Sequence, residues 1–175
     1  PMSTPNKPKQ FIDVLGTGRT LLQLTVDRFK GICPIEHVWV VTSVKYKDLV
    51  KEQLAGIPDS HILLEPCMRN TAPCIAYVTW KIKKCDPDAN LVISPADHIV
   101  TDVVEFRRVI RKGLEFVDGK DHILTLGMLP TRPETGYGYI KVKDEESDTE
   151  KLRGEIVEVE GFKEKPDLKT AECYL

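Results

Sequence analysis

The sequence predicts an α/β fold: an open, mostly parallel sheet with helices on both faces and an antiparallel extension. Two observations predict it. Short, continuous apolar runs alternate with stretches of helical periodicity over most of the chain, which is how strands buried on both faces and their covering helices read. Beyond Pro130 the apolar pattern changes to period two, as expected of antiparallel strands with one wet face.

Taken in order, residues 20–29 predict a helix opened by Thr20 as N-cap after the Gly16-Thr17-Gly18 turn. Residues 37–43, with Val38, Val40 and Val41, form the first buried run; Tyr46, Leu49, Val50 and Leu54 then recur at helical spacing. Residues 61–66 predict a second strand and 70–84 a helix with Ala72, Ile75, Ala76, Thr79 and Ile82 on one face. Residues 91–94 predict a third strand. Val103, Phe106, Ile110, Leu114 and Val117 make a helical stripe, and 123–129 predict a fourth strand. In the extension, 139–143 and 156–162 alternate apolar and charged residues around an acidic loop at 144–150. The result is a Rossmann-like arrangement in which ligands bind outside the carboxyl ends of the strands.

The 175 residues suit a single domain, and a net charge of −2 gives no broad attraction to nucleic acid or anionic membranes. No apolar run approaches the roughly 20 residues of a spanning helix, and no signal peptide is visible. Five cysteines (Cys33, Cys67, Cys74, Cys85 and Cys173) without a C-x-x-C pair indicate neither a disulfide framework nor a zinc site. They are expected to be ordinary thiols in a reducing cytoplasm, with a reactive Cys67 or Cys74 as the minor alternative. Starting at Pro1 and stopping at Leu175 within a predicted helix, the sequence is expected to be a segment of a longer protein.

Three segments fall at strand ends. Glu65 through Pro73 leads from a strand into a helix; Asn70 or Thr71 can cap it, and free N–H groups with Arg69 favour an anion or a polar ring edge. An ordinary capped helix with a solvated arginine fits the same residues. Asp97-His98 follows the third apolar run, where a carboxylate could hold Mg²⁺ or simply cap a turn; His98 reads as a packing histidine. Phe162-Lys163-Glu164-Lys165-Pro166 reads either as a solvated charged face or as a ligand site beside the Gly136-Tyr137-Gly138 turn, where glycine permits close approach. Gly16-Thr17-Gly18 is not a dinucleotide loop, because Leu21 stands where the third glycine is needed.

Pro8-Lys9-Gln10-Phe11, Glu65-Pro66 with Arg69-Asn70-Thr71-Ala72-Pro73, Pro95-Ala96-Asp97-His98, Pro133-Glu134-Thr135-Gly136-Tyr137-Gly138-Tyr139-Ile140 and Glu164-Lys165-Pro166-Asp167 occur in one order. Together they resemble the motifs of mannose-1-phosphate guanylyltransferases, within the sugar-phosphate nucleotidyltransferases. The resemblance covers essentially the whole chain as one incomplete nucleotidyltransferase domain, 1–175. It implies a reaction of GTP with mannose 1-phosphate to give GDP-mannose and pyrophosphate.

By that resemblance Asp97 would hold Mg²⁺, Lys9 would contact the triphosphate, and Lys165 the sugar phosphate. Glu164 would accept from sugar hydroxyls and Gly138 would offer backbone contact to the sugar. Glu65, Arg69, Asn70 and Thr71 form the nucleotide segment, with Glu65, Asn70 or Thr71 as guanine readers. The resemblance also implies a cytoplasmic enzyme, leaves a homodimer open, and involves neither nucleic acid nor membrane. The family's glycine-rich loop ending in arginine normally precedes the residues matching Pro1 to Phe11, and further sugar and metal ligands would follow Leu175. This stretch alone is therefore expected to turn over little. The alternative reading is a non-catalytic regulatory subunit that binds nucleotide sugars.

Overall fold

The computed structural model describes residues 3–4, 6–67, 69–143 and 154–175. The chain forms two compact units, Pro1–His122 and Ile123–Leu175. In the first, helix α1 (Leu21–Asp27) begins at Thr20 in a reciprocal cap. Thr20 Oγ1 accepts from Gln23 N, and Gln23 Oε1 accepts from Thr20 N. Two of the N–H groups that every helix start leaves orphaned are thereby satisfied.

Strand β1 (Val40–Ser43), helix α2 (Lys47–Gln53) and strand β2 (Ile62–Glu65) make one βαβ unit. The strands are parallel, with Val40 opposite Ile62 and Ser43 opposite Glu65. Phe11, Leu22, Val50, Leu54, Ile57 and Ile62 form the core beneath them, with Val26, Tyr46, Leu64 and Ala96 packed around it. Helices α3 (Thr71–Cys85) and α4 (Val103–Val117) complete the unit. The predicted stripe of α4 is the one observed, centred on Ile110, which is 6% exposed.

Two expectations fail here. The inward face of α3 is centred on Val78, flanked by Ile75 and Ile82, whereas Ala72 and Ala76 are exposed. The branched aliphatics, three and four residues apart, offer more surface to bury than the alanines, so they set the rotation of the helix. Residues 91–94 form no strand, and Val92 and Ile93 are exposed. A parallel strand exists only through ladder bonds to a neighbour, and no described residue pairs with this run.

In the second unit, β3 (Gly138–Val142) and β4 (Val159–Glu164) pair antiparallel, with Gly138 opposite Glu164. A bulge at Glu160 sets Lys141 opposite Gly161 and Val142 opposite Val159. The charged positions of the alternating pattern meet across the ladder, Lys141 with Glu160 at 2.8 Å and Lys143 with Glu158. The apolar run 123–129 makes no strand, for the same want of a partner, and Ile123 and Met128 lie exposed. The predicted 156–162 strand is displaced toward its C-terminal end. Helix α5 (Leu168–Glu172) is capped by Asp167, which accepts from Thr170 N. The acidic loop at 144–150 lies outside the described residues. The described cysteines are all free, and no helix among the described residues is long and apolar enough to cross a membrane.

Val50 is 1% exposed at the centre of the core. Val50→Ala removes two buried carbons and should cost about 1–3 kcal/mol, read as a lower urea midpoint at unchanged slope. Thr20→Ala loses the reciprocal cap and should cost about 1 kcal/mol by the same measurement.

Candidate active site

Lys9 lies on a 3-10 turn, Lys9–Phe11, entered from Pro8, whose fixed φ suits a turn start. Phe11, 2% exposed, anchors that turn in the core with its ring 5.6 Å from the Tyr46 ring. Gln53, at the end of α2, donates to Phe11 O at 3.2 Å. It also accepts from Thr20 Oγ1 at 2.8 Å, while its own carbonyl accepts from Gln23 Nε2. One amide side chain thus ties the Lys9 turn to both α1 and α2.

Asp97 sits on the connection between α3 and α4, where Ala96 packs against the core. The two predicted residues, 88 positions apart in sequence, meet: Lys9 Nζ lies 2.7 Å from Asp97 Oδ2. His98 Nε2 lies 3.8 Å from Asp97 Oδ1. The hydrogen bond from Lys9 holds the Asp97 carboxyl below its ordinary range, overcoming the opposite effect of burial, and His98 adds to the lowering. The contribution of this pair is therefore complete above the usual carboxylate pKa and lost as pH falls through the depressed value. With Lys9 59% and Asp97 32% exposed, solvent screening keeps its worth to stability below about 1 kcal/mol. Its significance is chemical: a cation and an anion share one solvent-accessible point.

Among the described residues, no group of three or more His, Cys, Asp or Glu could cage a metal. Mg²⁺ takes only one or two protein carboxylates and completes its shell with phosphates and water. A single ionised and partly exposed Asp97 fits that requirement.

At the end of β2, Glu65 and Arg69 line a cavity of about 280 Å³ with Pro66, Cys67, Pro73 and Tyr77. Asn70 and Thr71 are not in its lining. The expected cap is not made either: Asn70 occupies the N-cap position of α3 without a side-chain hydrogen bond. Its backbone is the reason, because φ 67° and ψ −168° belong to a region that only glycine enters easily. Burial pushes the Cys74 thiol above its ordinary pKa, and the Glu65 carboxylate bonded to it pushes the same way. A raised thiol pKa disfavours the thiolate, which weighs against the minor alternative of a reactive Cys74.

In the second unit, the register of β3 and β4 brings Gly138 opposite Glu164. A Cβ at Gly138 would stand 2.8 Å from Glu164 Oε2, so the glycine leaves the room which that carboxylate occupies. Lys165 follows with φ 41°, its N–H donating to Tyr137 O and its ammonium 3.7 Å from Glu164 Oε1. Pro166 is buried behind them. Tyr139 Oη accepts from Glu134 N, and Glu134 Oε1 accepts from Gly136 N, which fixes the glycine turn. Asn70 and Lys165 are the non-glycine residues with positive φ among the described residues, and both belong to the segments expected to touch ligand. Tyr77 was missed by sequence reading; its spacing of four from Pro73 puts the two on one face of α3 and was the available signal.

Over 179 residues the chain is 37% identical to a mannose-1-phosphate guanylyltransferase of Escherichia coli, an alignment covering 100% of this chain and 38% of that protein. It is 36% identical to the xanthan biosynthesis protein XanB of Xanthomonas campestris pv. campestris, covering 100% of this chain and 36% of that one. The chain thus spans well under half the length of these curated relatives. A crystal structure described as a mannose-1-phosphate geranyltransferase from Thermus thermophilus matches with a TM-score of 0.82 at 31% identity, over 99% of this chain and 48% of the other. The family model described as nucleotidyl transferase matches residues 1–175, and with the match running from end to end, the chain belongs to the nucleotidyl transferase family.

Proposed function

We propose that this chain is the nucleotide-binding and catalytic part of a mannose-1-phosphate guanylyltransferase, which converts GTP and mannose 1-phosphate to GDP-mannose and pyrophosphate. The observation that carries the proposal is the meeting of Lys9 Nζ and Asp97 Oδ2 at 2.7 Å. The name of the Escherichia coli relative, 37% identical to this chain, supports the choice of substrates.

A phosphate oxygen of mannose 1-phosphate attacks the α-phosphorus of GTP in line; the new P–O bond forms as the α–β bridge breaks, and pyrophosphate leaves with the electron pair. No protein nucleophile is needed, so catalysis reduces to placement and charge compensation. Mg²⁺, when bound, supplies charge neutralisation for the phosphates, and Asp97 is the residue that would hold it. Lys9 exchanges its Asp97 partner for the triphosphate and balances the charge that gathers on the departing pyrophosphate. Lys165 binds the sugar phosphate, Glu164 accepts from sugar hydroxyls, and Gly138 leaves room for the Glu164 carboxylate and offers backbone contact to the sugar. The cavity beside Glu65 receives the base: a carboxylate can accept from both N1–H and the amino group of guanine. Adenine would leave that acceptor unpaired. Consumption of GTP and the free thiols both accord with a reducing cytoplasm.

The deciding experiment uses the full protein that contains this chain, supplied with GTP, mannose 1-phosphate and Mg²⁺. Pyrophosphate release is expected, and Asp97→Asn should slow it by on the order of 10²-fold or more without changing the thermal midpoint. GDP-mannose binding without any release would replace the enzyme by a regulatory subunit. Gly138→Ala displaces the flexible end of Glu164 rather than backbone, so it should raise KM for mannose 1-phosphate while leaving KM for GTP and the thermal midpoint unchanged. An equal rise in both KM values would remove Gly138 and Glu164 from the sugar pocket.

A further inference from the structure

Arg28, at the C-terminal end of α1, is 4% exposed, and its guanidinium is spent almost wholly on one loop. Nη1 donates to His98 O at 3.1 Å; Nη2 donates to Ser94 Oγ at 2.8 Å and to Pro95 O at 3.2 Å. These acceptors lie on both sides of Asp97 in the sequence, so the guanidinium bridges the loop across its base. All three are neutral oxygens. Arg28 has no carboxylate partner among the described residues, and Nε is buried without a hydrogen bond.

Burying a charge this way is a poor device for stability alone, since the desolvation of a cation is repaid best by a carboxylate. It is a good device for fixing a loop. The residues around Asp97 belong to neither helix nor strand, so no ladder or helical bond holds their backbone. A planar fork with several donors can fix such carbonyls in a way that a single ammonium cannot. The fork is itself held from behind. Arg107 of α4 donates to Arg28 O at 2.9 Å and to Asp27 O at 3.0 Å, and the Phe106 ring lies 5.3 Å from the guanidinium carbon.

We propose that Arg28 is a positioning residue: its buried guanidinium clamps residues 94–98 and thereby sets the Asp97 carboxylate against Lys9. Arg28 itself touches no reactant. The consequence for turnover rests on the reading of Asp97 given above, whereas the clamp does not, and the experiment separates the two.

In the ligand-free full protein, amide hydrogen exchange is followed for wild type, Arg28→Met and Ser94→Ala. The second variant removes one acceptor of the fork from a half-exposed position and keeps the question open to test if Arg28→Met does not fold. Exchange across 96–99 should rise tenfold or more in Arg28→Met and severalfold in Ser94→Ala, with α3 and α4 keeping their protection. Unchanged exchange in this loop, or an equal rise everywhere, overturns the clamp. In turnover, Ser94→Ala should raise the Mg²⁺ concentration for half-maximal rate severalfold while KM for mannose 1-phosphate stays constant. A loosened loop with unaltered Mg²⁺ dependence overturns the positioning role. If wild type releases no pyrophosphate, the function proposed for Asp97 fails, and the exchange result still decides the clamp.

Discussion

The first unit turns on one contact: a loop without regular structure holds the Asp97 carboxylate against Lys9 at 2.7 Å. Three devices secure it from different directions. Ala96 is packed against the apolar core, Lys9 engages the carboxylate itself, and Arg28 grips the loop carbonyls from below. The turn that carries Lys9 is held by Gln53, which also ties the cap of α1 to the end of α2. Helix α1, only seven residues long, therefore organises both halves of the charge pair. Gln23 at its start reaches Gln53, and Arg28 at its end reaches the Asp97 loop.

On the function proposed above, the pairing of Lys9 with Asp97 resolves a conflict common to sites for phosphorylated ligands. Such sites need cations to attract the ligand and carboxylates to recruit a metal, and each is costly to hold unpaired. Here each satisfies the other at low net energy, because both remain partly in water. An incoming anion with its counter-cation can exchange with the pair without exposing an uncompensated buried charge. The second unit repeats the arrangement on a smaller scale with Lys165 and Glu164, separated by 3.7 Å.

Where local and tertiary preferences agreed, the sequence was sufficient to read the fold. Thr20 announced the start of α1, and the stripe through Ile110 gave both the limits and the inward face of α4. Val40 and Ile62 were recognisable as strand residues because β-branched runs bounded by polar residues have few other uses. The run at 91–94 looks the same locally, yet a strand is a relation between segments, and nothing in Leu91-Val92-Ile93-Ser94 says whether a neighbour is there to pair with it. The candidate site residues came from motifs, while the groups that support them left no mark in the sequence. Arg28 reads as a surface arginine at a helix end; only the approach of a segment some 66 to 70 residues away makes it an interior one. Asn70 looked like a helix cap because its side chain suits that task, but the backbone conformation it adopts takes the side chain out of range.

That backbone has a bearing on how engineered versions of this protein should be read. A conformation reserved in practice for glycine burdens any other residue by on the order of 1–3 kcal/mol, and at position 70 the burden falls on an asparagine that follows Arg69 of the Glu65 cavity. Directed evolution toward heat resistance would then be drawn to glycine there, since relief of torsional strain is rewarded whether or not the amide matters. On the function proposed above, a hardier variant bearing that replacement loses an asparagine of the nucleotide segment, and its tolerance of heat is no guide to its fidelity for guanine.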